Sequence, residues 1–255
     1  MINIKKIAMI FAGGTGQRMG SDIPKQFLTV YGKPIIIHTL ERFQYHEQID
    51  KIYVACKEDY IARLQKLVKK HMISKVMNIV PGGATGQDSI YNALAAAKEN
   101  NADDSIVLIH AGVRPCITKE LIYDDLEWVR KYGTAITCSA MYETPVISQD
   151  GVTVDEVPPR APFYTAQAPQ CFYLGDVLSA HAIMRKDNPG YVGVVDTCTM
   201  MKMLGKDVKI VVGPRGNIKV TTPEDLYTFR AMIQYKESEQ IFGFGNREVP
   251  TALKK

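Results

Sequence analysis

A short apolar run near the N-terminus, directly followed by closely spaced glycines, most constrains the fold of this chain. Ile7–Phe11 has the length and content of a buried parallel strand. The stretch Gly13–Gly16 contains three glycines, which let the backbone turn sharply and bring bare N–H groups close to an anion. Arg18 and Lys25 add two cations near that loop. These residues predict a strand that ends in a phosphate-binding loop.

Two common phosphate-binding motifs do not match this loop. A Walker loop requires Gly-Lys and then Ser or Thr, whereas Gly16 is followed by Gln17-Arg18. A Rossmann fingerprint requires a further glycine where Met19 stands. A glycine-rich turn with solvated cations therefore remains an alternative for the glycines alone, but Arg18 and Pro24-Lys25-Gln26 favour a phosphate site.

Strands and helices alternate through the first half of the chain, and this order predicts an α/β fold with a mostly parallel twisted sheet and helices on both faces. The predicted strands are Ile7–Phe11, Lys51–Cys56, Val76–Val80 and Ser105–Ile109. The predicted helices are Pro34–Phe43, Glu58–His71 and Asp88–Asn100, the last capped near Asp88 or Ser89, with a fourth beginning after the N-cap Thr118. Because ligands of such sheets bind at the carboxyl ends of strands, we expect the loops Gly13–Gly16, Gly82–Ser89 and His110–Pro115 along one edge.

The second half has a different pattern. Between Ala135 and Phe172 turn signals separate short β-rich pieces, and Ile147–Val157 is predicted as a hairpin around Asp150-Gly151. Predicted elements then follow: helices near Asp176–Arg185 and Asp196–Leu204, a strand Val208–Val212, and a last helix from Pro223 to about Tyr235 capped by Thr222. We expect one domain over residues 1–236 and a loosely ordered tail over 237–255.

Composition limits the class of protein. A chain of 255 residues with 46% hydrophobic and 23% charged residues can form one large soluble domain. Its net charge of +4 suits an anionic small molecule, and no basic cluster indicates nucleic acid. Five scattered cysteines without a C-x-x-C pair predict free thiols in the cytoplasm. No apolar segment reaches the ~18 residues of a membrane span, so we expect no membrane partner, and we identify no signal peptide.

Four further motifs accompany the glycine loop in a particular order: Gly82-Gly83, His110–Pro115, Pro169-Gln170 and Asn217–Thr221. Together they resemble the nucleotidyltransferases that join a polyol phosphate to a nucleoside triphosphate, specifically the cytidylyltransferases for methylerythritol 4-phosphate and ribitol 5-phosphate. The resemblance covers roughly residues 5 to 235. The string Gly-Gly-Thr-Gly and the Lys-Gln-Phe after Pro24 resemble the ribitol branch more closely.

This resemblance implies a fold, an activity and a set of site residues. The fold would be Rossmann-like (nucleotide-diphospho-sugar transferase-like), with a protruding β-arm at about 137–163 that embraces a second subunit of a homodimer. The activity would be Mg²⁺-dependent transfer from CTP to a polyol phosphate, giving pyrophosphate and a CDP-polyol for a cell wall polymer or capsule. The implied catalytic residues are Arg18, Lys25 and Lys219. The implied nucleotide-binding residues are Phe11, Ala12, Gly13, Gly14, Thr15, Gly16, Gly82, Gly83, Asp88, Ser89, Ala111 and Gly112. The implied acceptor-binding residues are Arg114, Thr144 and Arg160, although Arg114 could instead buttress a loop.

The chain departs from the family pattern at four positions. Ala111 stands where the family has a metal-binding aspartate, and Gly216 where an acidic residue is usual. Gly86 and Ala168 replace an arginine and a threonine. The metal could then be held mainly by the triphosphate or by another ligand such as Asp196. Other interpretations are an altered triphosphate or acceptor (methylerythritol 4-phosphate for isoprenoid synthesis), a CTP-binding paralogue with weakened catalysis, or an engineered change at Ala111.

Overall fold

The computed structural model describes residues 4–14, 19–20 and 23–242, with side chains described as far as residue 238. Its strands are β1 (Lys6–Ala12), β2 (Thr29–Val30), β3 (Lys33–Pro34), β4 (Lys51–Cys56), β5 (Val76–Pro81), β6 (Ile106–Ala111), β7 (Thr134–Ala140), β8 (Tyr164–Tyr173) and β9 (Ile210–Val212). Its α-helices are α1 (Ile35–Gln44), α2 (Ile61–Lys70), α3 (Gly86–Lys98), α4 (Lys119–Tyr132), α5 (Leu174–Asp187), α6 (Thr197–Met203) and α7 (Pro223–Phe242).

Seven of these strands form one sheet in the order β5-β4-β1-β6-β8-β7-β9. The pairs β5–β4, β4–β1, β1–β6 and β7–β9 are parallel, whereas β8 is antiparallel to both β6 and β7. The predicted mostly parallel sheet is confirmed, with a small antiparallel part around β8. The pair β2–β3 forms a separate antiparallel ribbon.

The core lies on both faces of the sheet, because successive side chains of a strand point to opposite faces. In β1, Ala8 and Ile10 belong to the cluster that also buries residues of α1, α2 and α4. Ile7 and Met9 belong to the other cluster, which buries residues of α3, α5 and α6. The predicted arrangement of helices on both faces is therefore confirmed.

Helix boundaries differ from the prediction at several places, among them the ends of α2, α3 and α7. Helix α3 begins at Gly86, two residues early, because Thr85 caps it and Asp88 completes a capping box. The predicted helix over Glu58–His71 is a 3-10 turn (Glu58–Tyr60) followed by α2. Helix α7 continues to Phe242, past its predicted end and into the predicted tail, whose remaining residues 243–255 lie outside the described chain.

The segment 135–172 differs from the prediction in two ways. Its two ends form regular strands of the sheet, and the predicted hairpin between them has little regular structure. The strands β7 and β8 account for both ends of the 135–172 segment. The predicted hairpin Ile147–Val157 is wrong as a pair of strands: a single antiparallel bridge joins Ile147 and Glu156. The carboxylate of Asp150 accepts the backbone N–H groups of Val152 and Thr153 at 2.8 and 2.7 Å, a local pattern that competes with ladder pairing.

None of the helices in the described part of the chain combines the length and apolar content that a bilayer crossing requires.

Candidate active site

Two loops that are far apart in sequence meet at the hydroxyl of Ser89, which lies in the first turn of α3. The Ser89 Oγ accepts the Gly83 N–H at 3.0 Å and donates to the Thr85 carbonyl at 3.0 Å. A Cβ built on Gly13 would lie 3.2 Å from this oxygen, and one built on Gly82 would lie 3.1 Å from it. The glycine loop after β1 and the loop after β5 are therefore in direct contact, as the parallel sheet predicts.

The loop between β5 and α3, residues 82–89, folds tightly around Asp88. Its Oδ2 accepts the Thr85 N–H at 3.2 Å, and the Thr85 Oγ1 accepts the Asp88 N–H at 3.0 Å. A Cβ on Gly83 would lie 2.2 Å from the Asp88 Cβ, so only glycine fits there. The loop thus presents bare backbone next to the glycine loop, which is the type of surface that can read a flat base.

A cavity of about 230 Å³ opens beside this contact at the carboxyl ends of β1 and β6. Phe11, Ala111 and Lys219 line it, together with Arg114, Gly86 and Asp196. The Gly112 N–H donates to the Phe11 carbonyl at 2.9 Å, which holds the ends of the two strands together. The structure therefore brings five of the predicted site residues into the lining of one cavity: Phe11, Ala111, Arg114, Asp196 and Lys219.

A buried network brings Lys219 to the cavity. The Asn217 Nδ2 donates to the Ala168 carbonyl at 2.8 Å and to the Gln167 Oε1 at 3.1 Å. The Val220 N–H donates to the Val113 carbonyl at 2.8 Å. The segment carrying Lys219 is thereby attached to both β8 and the loop after β6, far from it in sequence.

Arg114 also stabilises the segment that carries Lys219. Its buried Nη1 donates to the Asn217 carbonyl, and burial lowers its pKa to about 10. The His110 Nε2 donates to the Arg114 carbonyl at 2.9 Å, and complete burial lowers the His110 pKa to about 3. The imidazole is therefore neutral at physiological pH, and Arg114 both lines the cavity and buttresses the loop.

The remaining residues of the predicted phosphate site are only partly described. Lys25 lies buried in a 3-10 turn, and the neighbouring Gln26 Nε2 donates to the Ala12 carbonyl at 2.7 Å, which fixes this turn beside the end of β1. The described lining of the cavity does not include Lys25. Gly14 is exposed, with nothing within 4 Å of a Cβ built on it. The predicted Thr15, Gly16 and Arg18 lie outside the described residues.

Among the described residues that line this cavity, only Asp196 offers a carboxylate to a metal ion. The Asp196 Oδ1 accepts the Thr199 N–H at 2.8 Å as the N-cap of α6, and its Oδ2 accepts the Gln170 Nε2 at 2.8 Å. Among residues 4–14, 19–20 and 23–238, no group of three or more His, Cys, Asp or Glu side chains could hold a metal. This donor set fits Mg²⁺ only where the phosphates supply most of the ligands.

A second cavity, of about 470 Å³, lies at the base of the arm and shares Gln167 with the first. Thr144 and Arg215 line it. The Arg215 guanidinium lies 5.0 Å from the centre of the Tyr142 ring, and the Arg160 Nη1 donates to the Tyr142 carbonyl at 2.7 Å. Two arginines therefore flank one tyrosine beside the predicted acceptor residue Thr144.

Sequence reasoning missed several residues of these sites, among them Thr85, Gln167 and Arg215. Thr85 could have been identified, because Thr followed three residues later by an acidic side chain is a capping-box pattern. Gln167 and Arg215 carry no local signal, since only the tertiary fold brings them to the cavities.

Comparisons with known proteins show what this chain is similar to. A family model described as IspD: 2-C-methyl-D-erythritol 4-phosphate cytidylyltransferase matches residues 6–235. A ribitol-5-phosphate cytidylyltransferase of Streptococcus agalactiae serotype Ia is 43% identical over 240 residues, covering 93% of this chain and 99% of that protein. A 2-C-methyl-D-erythritol 4-phosphate cytidylyltransferase of Clostridium botulinum is 38% identical over 222 residues, covering 87% and 94%. The crystal structure of 4-diphosphocytidyl-2C-methyl-D-erythritol synthase from Anaerococcus prevotii superposes with a TM-score of 0.77 at 27% identity, covering 91% and 97%.

Proposed function

The chain belongs to the IspD family of 2-C-methyl-D-erythritol 4-phosphate cytidylyltransferases and is a CTP-dependent nucleotidyltransferase, and we propose that its acceptor is ribitol 5-phosphate. The acceptor is assigned from the higher identity and coverage of the Streptococcus agalactiae relative, 43% over 93% of the chain, than of the Clostridium botulinum relative, 38% over 87%. The product would be CDP-ribitol, an activated precursor of a cell wall polymer or capsule. We place the reaction in the cytoplasm, where CTP is made.

The observation that carries this proposal is the contact of the glycine loop with the Gly82–Ser89 loop beside a cavity that contains Lys219. Bare backbone on one side can hold phosphates and read a base, and a lysine on the other side can neutralise charge. Because both substrates are strongly anionic, positioning and charge neutralisation are the main catalytic tasks.

The proposed reaction is attack of an acceptor phosphate oxygen on the α-phosphorus of CTP. A P–O bond forms there, the bond to the oxygen bridging the α- and β-phosphates breaks, and pyrophosphate leaves. Lys219 stabilises the charge that develops on the α-phosphate oxygens, while Arg18, Lys25 and the Gly13–Gly16 amides hold the leaving phosphates. Bound Mg²⁺ would supply further neutralisation, held mainly by the triphosphate, with a carboxylate ligand from Asp196 of the first cavity.

The acceptor would occupy the second cavity, with its phosphate toward the first. Arg215 supplies a positive charge there, and Thr144 a hydroxyl for the polyol. We propose further that the chain is a homodimer in which the arm, with Arg160, reaches the partner's acceptor site. Many exposed apolar side chains on the arm, among them Val146, Val152 and Val154, support this arrangement because a second subunit would cover them.

Two alternatives rest on specific observations. Methylerythritol 4-phosphate as acceptor is supported by the description of the matching family and by the 38% identical relative. A CTP-binding paralogue with weak turnover is supported by Ala111 and Gly216, which remove the usual carboxylates.

The deciding experiment is a matrix of the four NTPs against ribitol 5-phosphate and methylerythritol 4-phosphate, with pyrophosphate release as the readout and Mg²⁺ varied. We expect turnover with CTP and ribitol 5-phosphate. Faster turnover with methylerythritol 4-phosphate would overturn the acceptor assignment. CTP binding by calorimetry without any turnover would support the paralogue.

A further inference from the structure

Two of the segments that line the first cavity also approach each other outside it. One is the loop 82–89 with the start of α3, which contributes Gly86 and Gln87 to the lining. The other is the segment after α5, which contributes Val195, Asp196 and Thr197. A single guanidinium, that of Arg185 near the end of α5, contacts residues of both segments.

The contact with the loop is an ion pair to Asp88. The Arg185 Nη1 donates to the Asp88 Oδ1 at 2.7 Å, while the Asp88 Oδ2 is engaged by Thr85 within the loop. The Asp88 side chain is only 19% exposed, so the pair is shielded from water on its acidic side. The guanidinium also stacks on the Tyr91 ring of α3, 4.3 Å from its centre.

The contact with the second segment runs through Tyr191. Its hydroxyl lies beside the guanidinium and raises the Arg185 pKa. The same hydroxyl hydrogen-bonds the Nδ1 of the buried His181 at 2.7 Å. Tyr191 is itself buried and has a left-handed backbone with φ of 51°, five residues before the cavity residue Asp196.

We propose that Arg185 is a positioning residue that holds the base-reading loop at 82–89 in its nucleotide-binding shape by fixing Asp88 against the segment that begins at Tyr191. Because Gly83 packs directly on Asp88, a displaced carboxylate would displace the backbone that faces the base. The assignment of this loop to the base rests on the proposed function. The planar guanidinium suits this position, because it can donate to a carboxylate and stack on a ring at the same time.

The first test is Arg185→Gln, with Arg185→Lys as the conservative variant and Lys186→Gln, an exposed neighbour on α5, as the matched control. We expect Arg185→Gln to raise the CTP dissociation constant and KM roughly tenfold, as for loss of one charged hydrogen bond. The value of kcat and the KM of the acceptor should stay within about twofold, because Arg185 is not among the described residues that line either cavity. Arg185→Lys should recover part of the affinity.

The second test does not need a substrate. Amide hydrogen exchange of residues 82–89 should accelerate in Arg185→Gln and not in Lys186→Gln. Adding Arg185→Gln to Asp88→Asn should change little further if the arginine acts through that carboxylate. Unchanged exchange in the loop, or an equal loss of kcat and of both affinities together with a lower melting temperature, would overturn the inference. If wild type binds no CTP but the exchange result holds, the proposed function fails and the positioning role stands.

Discussion

Ala111 stands where the family resemblance predicts a metal-binding aspartate. Its methyl group lines the first cavity at 3% exposure, so a carboxylate at this position would enter the cavity beside Lys219. We expect Ala111→Asp to lower the Mg²⁺ concentration needed for half-maximal activity by roughly tenfold, because a second carboxylate strengthens a site that otherwise relies on phosphates. A Mg²⁺ titration of pyrophosphate release measures this.

Ala111→Asn is the matched control for that substitution, because it has the same shape without the charge. It should leave the Mg²⁺ requirement near that of wild type. An aspartate variant that needs as much Mg²⁺ as wild type would show that position 111 does not face the metal.

Arg215 is the residue on which the proposed acceptor site depends most. Within the described chain its guanidinium forms no ion pair, and it stacks on Tyr142 at the wall of the second cavity. We expect Arg215→Gln to raise the KM of the acceptor roughly tenfold and to leave that of CTP unchanged, because one charged contact to phosphate is lost. Steady-state kinetics with each substrate varied in turn measures the split.

The control for this substitution is Lys206→Gln, which removes an equal charge from an exposed loop. It distinguishes a local contact from a general loss of positive potential. If Arg215→Gln changes the KM of CTP instead, the guanidinium belongs to the nucleotide site.

At the scale of elements, a buried carboxyl group joins α4 to β7. The Asp125 Oδ2 accepts the Thr137 Oγ1 at 2.9 Å, and its Oδ1 has no partner among the described residues. Burial raises the pKa of Asp125 well above its ordinary value of 3.8. An acid with a raised folded-state pKa contributes stability below its ordinary pKa, and that contribution is lost as the pH rises through the folded value.

We therefore expect Asp125→Asn, which stays neutral, to gain stability relative to wild type as the pH increases. The difference in melting temperature between the two should grow by about 2–5 °C between pH 4 and pH 8. Thermal unfolding across this range measures it, with Asp207→Asn, a carboxylate 82% exposed, as the control. A difference that does not change with pH would mean that Asp125 is ionised in the folded state.

The elements that sequence predicted well are those whose pattern is set locally. The strand Lys51–Cys56 was predicted to the residue, and β1 and α1 within one residue at each end, because burial on one or both faces dictates their apolar periodicity. Thr118 was correctly predicted as the N-cap of α4. The bounds of the paired strands β7 and β8 were not predicted, because the register of these strands depends on β6 and β9, which are distant in sequence.

The residues of the candidate site also include some that the sequence predicts and some that depend on tertiary packing. The convergence of Gly13 with Gly82 follows from the rule that loops at the carboxyl ends of parallel strands share an edge. The role of Gln167, which accepts from Asn217 and belongs to both cavities, could not be predicted, because it depends on tertiary packing between β8 and the segment before α7.

At the scale of the whole molecule, the arm between β7 and β8 has little regular structure to support it within the chain. Between residues 141 and 163 the structure has one isolated bridge, and Val152 is 89% exposed. Lys219, in contrast, is attached through its neighbours Asn217 and Val220 to the body of the subunit. A homodimer in which arms are exchanged would then build each acceptor site from two chains, with Lys219 from one and Arg160 from the other.

Mixing two inactive variants tests this arrangement. We expect Lys219→Ala and Arg160→Ala homodimers each to be weakly active. After they are mixed in equal amounts and allowed to exchange subunits, half of the dimers would be mixed, and each mixed dimer would hold one site with both residues intact. Activity should therefore recover to about a quarter of wild type, as two-fold symmetry requires.

Light scattering before and after mixing verifies the dimer, and Lys219→Ala mixed with Lys219→Gln should recover nothing, since no intact site can form. If Arg160 acts within its own subunit, the mixture of Lys219→Ala and Arg160→Ala will stay as inactive as its parents.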